Sequence, residues 1–172
     1  FELDGSLNIG YFLRINGAFA YTDAKYKKFT NAPVPLEEVG GPQAFKDISG
    51  QVLPGVSKWA WSLGAEANKG GKLIGINGSY FVAADVFYRS EFSSSASPSA
   101  YLNIDAYAVV NARLGFKASN GIALFVWSRN LGNKNYYEQL LAAPGSYGQY
   151  AGVVADPRTY GLTLRYNWKL NN

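Results

Sequence analysis

The chain has 172 residues, a net charge of +4 and neither cysteine nor histidine. The small, scattered charge argues against a nucleic-acid partner, and the missing side chains exclude disulfides, cysteine metal sites and the usual histidine base. We therefore expect one domain that is not an enzyme and needs no metal and no cofactor.

Alternation of apolar and other residues predicts seven β-strands, because successive side chains of a strand point to opposite faces. In chain order these strands are Phe1–Leu7, Phe12–Lys28, Lys58–Asn68, Leu73–Ser90, Asn103–Lys117, Ile122–Tyr137 and Pro157–Trp168. No run of about 20 apolar residues indicates a membrane helix. The chain is therefore predicted to be all-β and antiparallel.

The connections between the predicted strands alternate in length. Short turns are expected near residues 8–11, 68–72 and 118–121, the second of them around Gly70-Gly71, and long loops at 29–57, 91–102 and 138–156. Membrane barrels have short turns on one side and long loops on the other. Several segments exceed ten residues, whereas strands in soluble domains cluster near five or six, and a tilted strand needs about 9–11 residues to cross a bilayer. We predict a transmembrane β-barrel segment in the outer membrane of a Gram-negative bacterium, with its long loops extracellular.

The charged residues recur on one face of the predicted strands, which we expect to line a watery lumen. The lumen-facing candidates are Arg14, Glu66, Asp85, Arg89, Asp105, Arg113 and Arg165. A basic residue in the middle of the lipid face costs about 2–4 kcal/mol, so the charges define the inside. Tryptophans at strand ends predict aromatic belts, with Trp59 and Trp61 at the loop end and Phe116 and Trp168 at the turn end.

The long loops carry the candidates for ligand contact, because aromatic and amide side chains bind metal chelates, sugars or cobalamin equally well. These candidates are Gln43, Phe45, Tyr101, Tyr147, Gln149 and Tyr150. The neighbouring Glu37 and Glu38 are interpreted as a solvated pair rather than as a cation site.

Three stretches resemble the C-terminal region of TonB-dependent outer-membrane receptors. They are Val110–Phe116, Phe125–Tyr136 and Asp156–Trp168. The most specific part is the pair Asn130-Leu131 with Lys134 and Tyr136, followed by the pair Pro157-Arg158, and Trp168 is a further motif residue. The resemblance implies that residues 1–172 are the C-terminal third of a barrel of about 22 strands with a plugged lumen. The plug domain and the earlier strands would lie outside this chain.

The same resemblance implies energised uptake of a scarce, bulky nutrient, with a ferric siderophore favoured as the ligand. The implied partners are outer-membrane lipid, the small-molecule ligand, TonB with its energising complex through the absent N-terminal part, and the barrel-assembly machinery at the last strand. Two alternatives stay open: a complete eight-stranded small barrel with a structural or porin-like role and a further strand within residues 47–56, and a soluble carbohydrate-binding sandwich.

The motif residues also have expected physical roles. The Asn130 amide is expected to bind backbone groups freed at a strand end. Pro157 is expected to begin a strand, where no ladder N–H is required. Arg158 is expected to pair with a loop carboxylate, either Asp156 or Glu138.

Overall fold

The computed structural model describes residues 1–143, 145 and 148–168. Within these residues the strands are β1 (Glu2–Ile9), β2 (Leu13–Tyr21), β3 (Ala32–Pro33), β4 (Phe45–Lys46), β5 (Trp59–Leu73), β6 (Ile76–Arg89), β7 (Phe92–Ser93), β8 (Asn103–Ile104), β9 (Tyr107–Ala118), β10 (Ile122–Arg129), β11 (Tyr137–Ala142), β12 (Tyr150–Val154) and β13 (Thr159–Tyr166). Two single 3-10 turns, Leu36–Glu38 and Ala100–Leu102, lie in loops. Within the described part of the chain, no helix is long and apolar enough to cross a bilayer.

One antiparallel sheet of seven strands contains all the long strands, in the order β1-β2-β5-β6-β9-β10-β13. Each long strand pairs with the next long strand along the chain, so the sheet is a meander. The prediction of seven antiparallel strands is confirmed. The described pairings join β1 only to β2 and β13 only to β10, so each outer strand has one neighbour in this sheet.

The register keeps the same side chains on the same face across the whole sheet. Leu3 lies opposite Phe19, Phe19 opposite Trp61, and Trp61 opposite Tyr88. We call the side of these residues the apolar face and the other side the polar face. Of the twelve charged residues in the seven strands, Lys69 alone lies on the apolar face. The polar face holds Glu2, Asp4, Arg14, Glu66, Lys72, Asp85, Arg89, Arg113, Lys117, Arg129 and Arg165.

The hairpin between β5 and β6 turns later than the sequence predicts. Gly70 and Gly71 are strand residues, and the turn residues are Ile74 and Gly75, with φ of 50° and 80°. Positive φ at both central residues is the geometry of a tight hairpin turn that follows the strand twist. Gly71 has a packing role instead, because a Cβ there would lie 2.8 Å from the Tyr80 ring.

Several predicted segments are longer than the observed strands. The strand observed in the second segment ends at Tyr21, and the strand observed in the sixth segment ends at Arg129. The strand observed in the fifth segment begins only at Tyr107, and the strand observed in the seventh begins only at Thr159. Pro157 therefore precedes its strand rather than starting it. The additional strand considered within residues 47–56 is reduced to one bridge, between Lys25 and Val52.

The buried core lies among the long loops and not between two sheets. Phe92, Ile104 and Tyr107 are buried together, and Tyr136 and Leu140 pack against them. Most of the apolar face stays open, with Leu114 58% and Leu164 72% exposed, although Phe116 on the same face is buried. A soluble sandwich would bury such a face against a second sheet, so this architecture argues against the sandwich alternative.

Candidate functional site

Aromatic side chains form two belts on the apolar face, one at each end of the strands. At the loop end the ring centroids of Tyr21 and Trp59 are 4.5 Å apart, and those of Trp61 and Tyr88 are 5.3 Å apart. At the turn end the pairs are Tyr80 with Phe116 at 4.8 Å and Tyr166 with Trp168 at 5.8 Å. The structure therefore places the four predicted belt residues Trp59, Trp61, Phe116 and Trp168 at the expected strand ends.

The spacing of the belts matches the apolar part of an outer membrane. Tyr80 and Tyr88 are eight residues apart on β6, which is about 26 Å along a strand. With a strand tilt of about 40° the belts are separated by about 20 Å, close to the apolar band of about 25 Å on membrane barrels. Lys69 pairs with Tyr80 and so lies at belt level, where a lysine can extend its ammonium group to water.

The polar face holds a network of charges and amides. Glu66 accepts from Arg113 at 3.0 Å and from Lys117 at 2.9 Å. Asp85 accepts from the Asn111 side chain at 2.7 Å. The structure places six of the predicted lumen residues on this face, namely Arg14, Glu66, Asp85, Arg89, Arg113 and Arg165. Asp105 lies just before β9 instead.

Arg89 has a different surrounding from the other cations of the polar face. Its guanidinium donates to the Ser57 hydroxyl at 2.9 Å and to the Gly55 carbonyl at 2.6 Å. The guanidinium carbon also lies 3.8 Å from the centre of the Phe92 ring, within the range of a cation–π contact. Arg89 therefore connects the end of β6 to the long loop before β5 and to the long loop after β6.

The three long loops all lie at one end of the sheet and bind each other. We call them L1 (residues 22–58), L2 (residues 90–106) and L3 (residues 130–158). Glu37 of L1 accepts a hydrogen bond from the Ser99 hydroxyl of L2 at 2.7 Å and another from the Tyr150 hydroxyl of L3. The Leu140 N–H of L3 donates to the Ser94 hydroxyl of L2 at 3.0 Å. The loops therefore form one joined surface.

The predicted ligand residues fall into two groups on this surface. Gln43 and Phe45 line an open depression that Pro98 of L2 borders. Tyr101 and Tyr150 face each other with ring centroids 5.6 Å apart. The side chain of Gln149 is exposed. Tyr147 lies outside the described residues.

Glu37 is the loop residue that sequence reasoning missed. The sequence favours a solvated pair, yet Glu37 joins three loops, while Glu38 forms an ion pair with Lys46. The hydrogen bond from Tyr150 is the main cause that lowers the pKa of the Glu37 carboxyl, and Ser99 adds to it. Desolvation first and the bond to Glu37 second raise the pKa of the Tyr150 hydroxyl. Nothing local in the sequence marks a contact between residues 37 and 150.

Comparison with protein families shows to which family the chain belongs. Residues 1–131 match the model of the β-barrel of TonB-dependent receptor-like proteins. The chain belongs to the TonB-dependent receptor β-barrel family. A search of curated proteins gave no match.

A solved structure gives independent support for the fold of this member of the TonB-dependent receptor family. The siderophore receptor PiuA from Acinetobacter baumannii superimposes with a TM-score of 0.66 at 17% sequence identity. The match covers 96% of this chain and 21% of that receptor. At this identity the likeness concerns the fold, and the chain spans about a fifth of the length of the matched protein.

Asn130 occupies the point where β10 of the sheet passes into L3. It is 4% exposed and has a φ of 49°, a conformation that asparagine tolerates better than most residues. Its side-chain amide donates to the carbonyls of Lys134 at 2.9 Å and Asp156 at 3.2 Å, and its side-chain oxygen accepts from the Lys134 N–H at 2.8 Å. The Asn130 N–H donates to the Asn111 side chain at 3.0 Å, which connects L3 to the polar face.

The neighbouring motif residues support the same loop base. The Leu131 N–H donates to the Val110 carbonyl at 2.7 Å. The expected ion pair of Arg158 is wrong within the described residues, because its guanidinium donates to the Leu131 carbonyl at 3.4 Å and its N–H to Asn133 at 3.0 Å. Residues 157–168 lie beyond the part that matches the family model. Trp168 follows the end of β13 and contacts Tyr166.

Proposed function

We propose that this chain is part of an outer-membrane receptor that takes up a scarce, bulky nutrient with energy delivered through TonB. The observation that carries the proposal is the division of one meander sheet into an apolar face between two aromatic belts and a polar face with eleven of the twelve strand charges. Hydrocarbon is the environment that such an open apolar face requires, and water is the environment that the charges require. Family membership makes the receptor class the natural interpretation.

We further propose that residues 1–172 form the C-terminal part of the barrel, without its plug and earlier strands. The described pairings leave one edge of β1 and one edge of β13 without a partner in this sheet. Unpaired backbone groups are not tolerated in hydrocarbon, so further strands would complete the barrel. The eight-stranded small barrel is less well supported, because residues 47–56 contribute no strand to the sheet.

A ferric siderophore is the ligand that we propose for the loop surface. One support is that the superimposed solved structure is a siderophore receptor. The other is the set of aromatic and amide groups that Tyr101, Tyr150, Gln43 and Phe45 present on the loops. Outer-membrane lipid would contact the apolar face, TonB would act through the part of the receptor outside this chain, and the assembly machinery would meet β13.

Uptake in iron-limited cells tests this function. Cells that produce the complete receptor should take up a radiolabelled ferric siderophore, and an uncoupler should abolish the uptake. Tyr101→Ala should reduce uptake about tenfold or more, because aromatic anchors dominate binding surfaces. Tyr160→Ala is the matched control, since Tyr160 is exposed on the apolar face. Equal uptake with and without the receptor, for every ferric siderophore tried, would exclude this ligand class.

A further inference from the structure

A pocket on the polar face, near the short turns, combines three cations with an aromatic floor. Arg113, Lys117 and Arg165 line a cavity of about 260 Å³ together with Phe81 and Phe125. Phe81 is 6% exposed, its ring lies 6.0 Å from that of Phe125, and the Lys117 ammonium lies 4.4 Å above it. We call this cavity the basic pocket.

The charges of the basic pocket do not cancel among the described residues. Glu66 binds both Arg113 and Lys117. Arg165 stands over the Phe125 ring at 6.0 Å, and none of the ion pairs found in the described part of the chain includes it. Three cations and one carboxylate leave an excess of two positive charges, which two further carboxylates would neutralise.

The wider polar face has the same excess of positive charge near the short turns. In the halves of the strands nearer the short turns it adds the cations Arg14 and Lys72. In the halves nearer the loops the three carboxylates Glu2, Asp4 and Asp85 outnumber the two cations Arg89 and Arg129. An anionic group on this face is therefore drawn toward the short turns and away from the loops. Charges arranged in this way orient a partner as well as attract it.

The basic pocket is small and lies open on the polar face. Its volume of about 260 Å³ is near the lower end of the range for small-molecule sites. Acidic side chains fit this space, with their methylene groups on the phenyl rings and their carboxylates on the cations. Charge-assisted hydrogen bonds of this type are stronger than neutral ones.

We propose that the basic pocket receives an acidic polypeptide segment, with two carboxylates close together, from the part of the receptor that fills the interior. The proposal rests on the proposed function in one respect, since it requires the polar face to enclose an interior. Lys117 and Arg165 hold the carboxylates, and Glu66 keeps Arg113 and Lys117 in position.

Carbodiimide coupling in the complete, membrane-assembled receptor tests the proposal, because it joins an amine to a carboxylate that touches it. Peptide mass spectrometry should identify Lys117 joined to an acidic residue outside residues 1–172, next to a second acidic residue. The Lys117–Glu66 product is the internal standard, since those atoms are 2.9 Å apart. A receptor that yields the Lys117–Glu66 product alone overturns the proposal.

Charge variants supply the second arm of the experiment. Arg165→Glu should lower the yield of the outside product relative to the standard by about fivefold or more, because one attraction is replaced by a repulsion. Arg129→Glu is the matched control: Arg129 is a cation over an aromatic ring on the same face, but at the loop end. Arg165→Gln replaces Arg165→Glu if the latter does not assemble. An equal yield in all variants contradicts the proposal, whereas siderophore uptake, measured separately, reports on the proposed function.

Discussion

Exchanging two neighbouring residues of β9 tests whether the two faces of the sheet have different surroundings. The amino-acid composition of the chain stays constant in this exchange. Ala112 lies on the apolar face, midway between Ala108, which pairs with Tyr88 of one belt, and Phe116 of the other. The double variant Ala112→Arg with Arg113→Ala moves one guanidinium from the polar face to the middle of the apolar band. An arginine there costs about 2–4 kcal/mol, which is about 30-fold to 900-fold in the folding equilibrium.

The control for this exchange is Arg113→Ala alone. It removes one partly exposed ion pair with Glu66, which keeps Lys117, so the expected loss is at most about 1 kcal/mol. Folding of the complete receptor into lipid vesicles, followed by its gel mobility with and without heating across a urea series, measures both variants. If the double variant folds as well as Arg113→Ala, the apolar face does not contact hydrocarbon and the membrane interpretation fails.

Three further outcomes are expected. Asn130→Ala should cost about 1–3 kcal/mol of folding free energy in the same urea series, because it leaves buried backbone groups unpaired. Asn130→Gly should restore only the part of that loss that comes from the positive φ at this position. Full stability of the alanine variant would refute the role of the side chain. Gly115→Ala should cost about 1–3 kcal/mol of folding free energy through overpacking, because the added Cβ would lie 2.3 Å from a backbone oxygen. Gly70→Ala is the control and should be tolerated, because the space around Gly70 is open. Because the folded-state pKa of Glu37 is lowered from 4.5, its bond to Tyr150 should persist above pH 4.5 and weaken as the pH falls through the lowered pKa; hydrogen exchange of L3 should rise there, and an identical rise in Glu37→Gln would count against this cause.

The sheet was readable from the sequence because its pattern repeats every second residue. Leu162, Leu164 and Tyr166 alternate with Thr163 and Arg165 without interruption, and the register places each set on one face. A strand with one lipid face and one wet face has no neighbouring layer that could disturb this alternation. All seven long strands could therefore be located, although several of their ends could not. Their facing could be predicted for every segment except the sixth, Ile122–Tyr137, which is apolar on both faces at first.

Turn positions and loop contacts could not be read in the same way. Gly70-Gly71 has the composition of a turn, but Gly71 makes room for the Tyr80 ring, and the chain turns at Ile74 and Gly75 instead. A local signal cannot distinguish a glycine that bends the chain from one that lies beneath an aromatic ring.

The loop surface depends on contacts between residues far apart in the chain. The carboxylate of Glu37 meets a hydroxyl 113 positions away, and Arg158 binds a carbonyl rather than the nearby carboxylates considered for it. Such partners follow from tertiary placement, which residue type alone does not specify. The aromatic and amide composition predicted a contact surface, but not the residue that joins its loops.

The edges of the sheet have a consequence for biogenesis. About half of the backbone N–H and C=O groups of β1 and of β13 point away from their one neighbour, because ladder groups alternate in direction along a strand. Several kcal/mol are lost for each such group left bare in lipid, and in water the same rows act as templates for uncontrolled intermolecular pairing. In the receptor proposed above, these two edges would need protection until further strands pair with them, and closing the barrel would be the assembly step most exposed to aggregation.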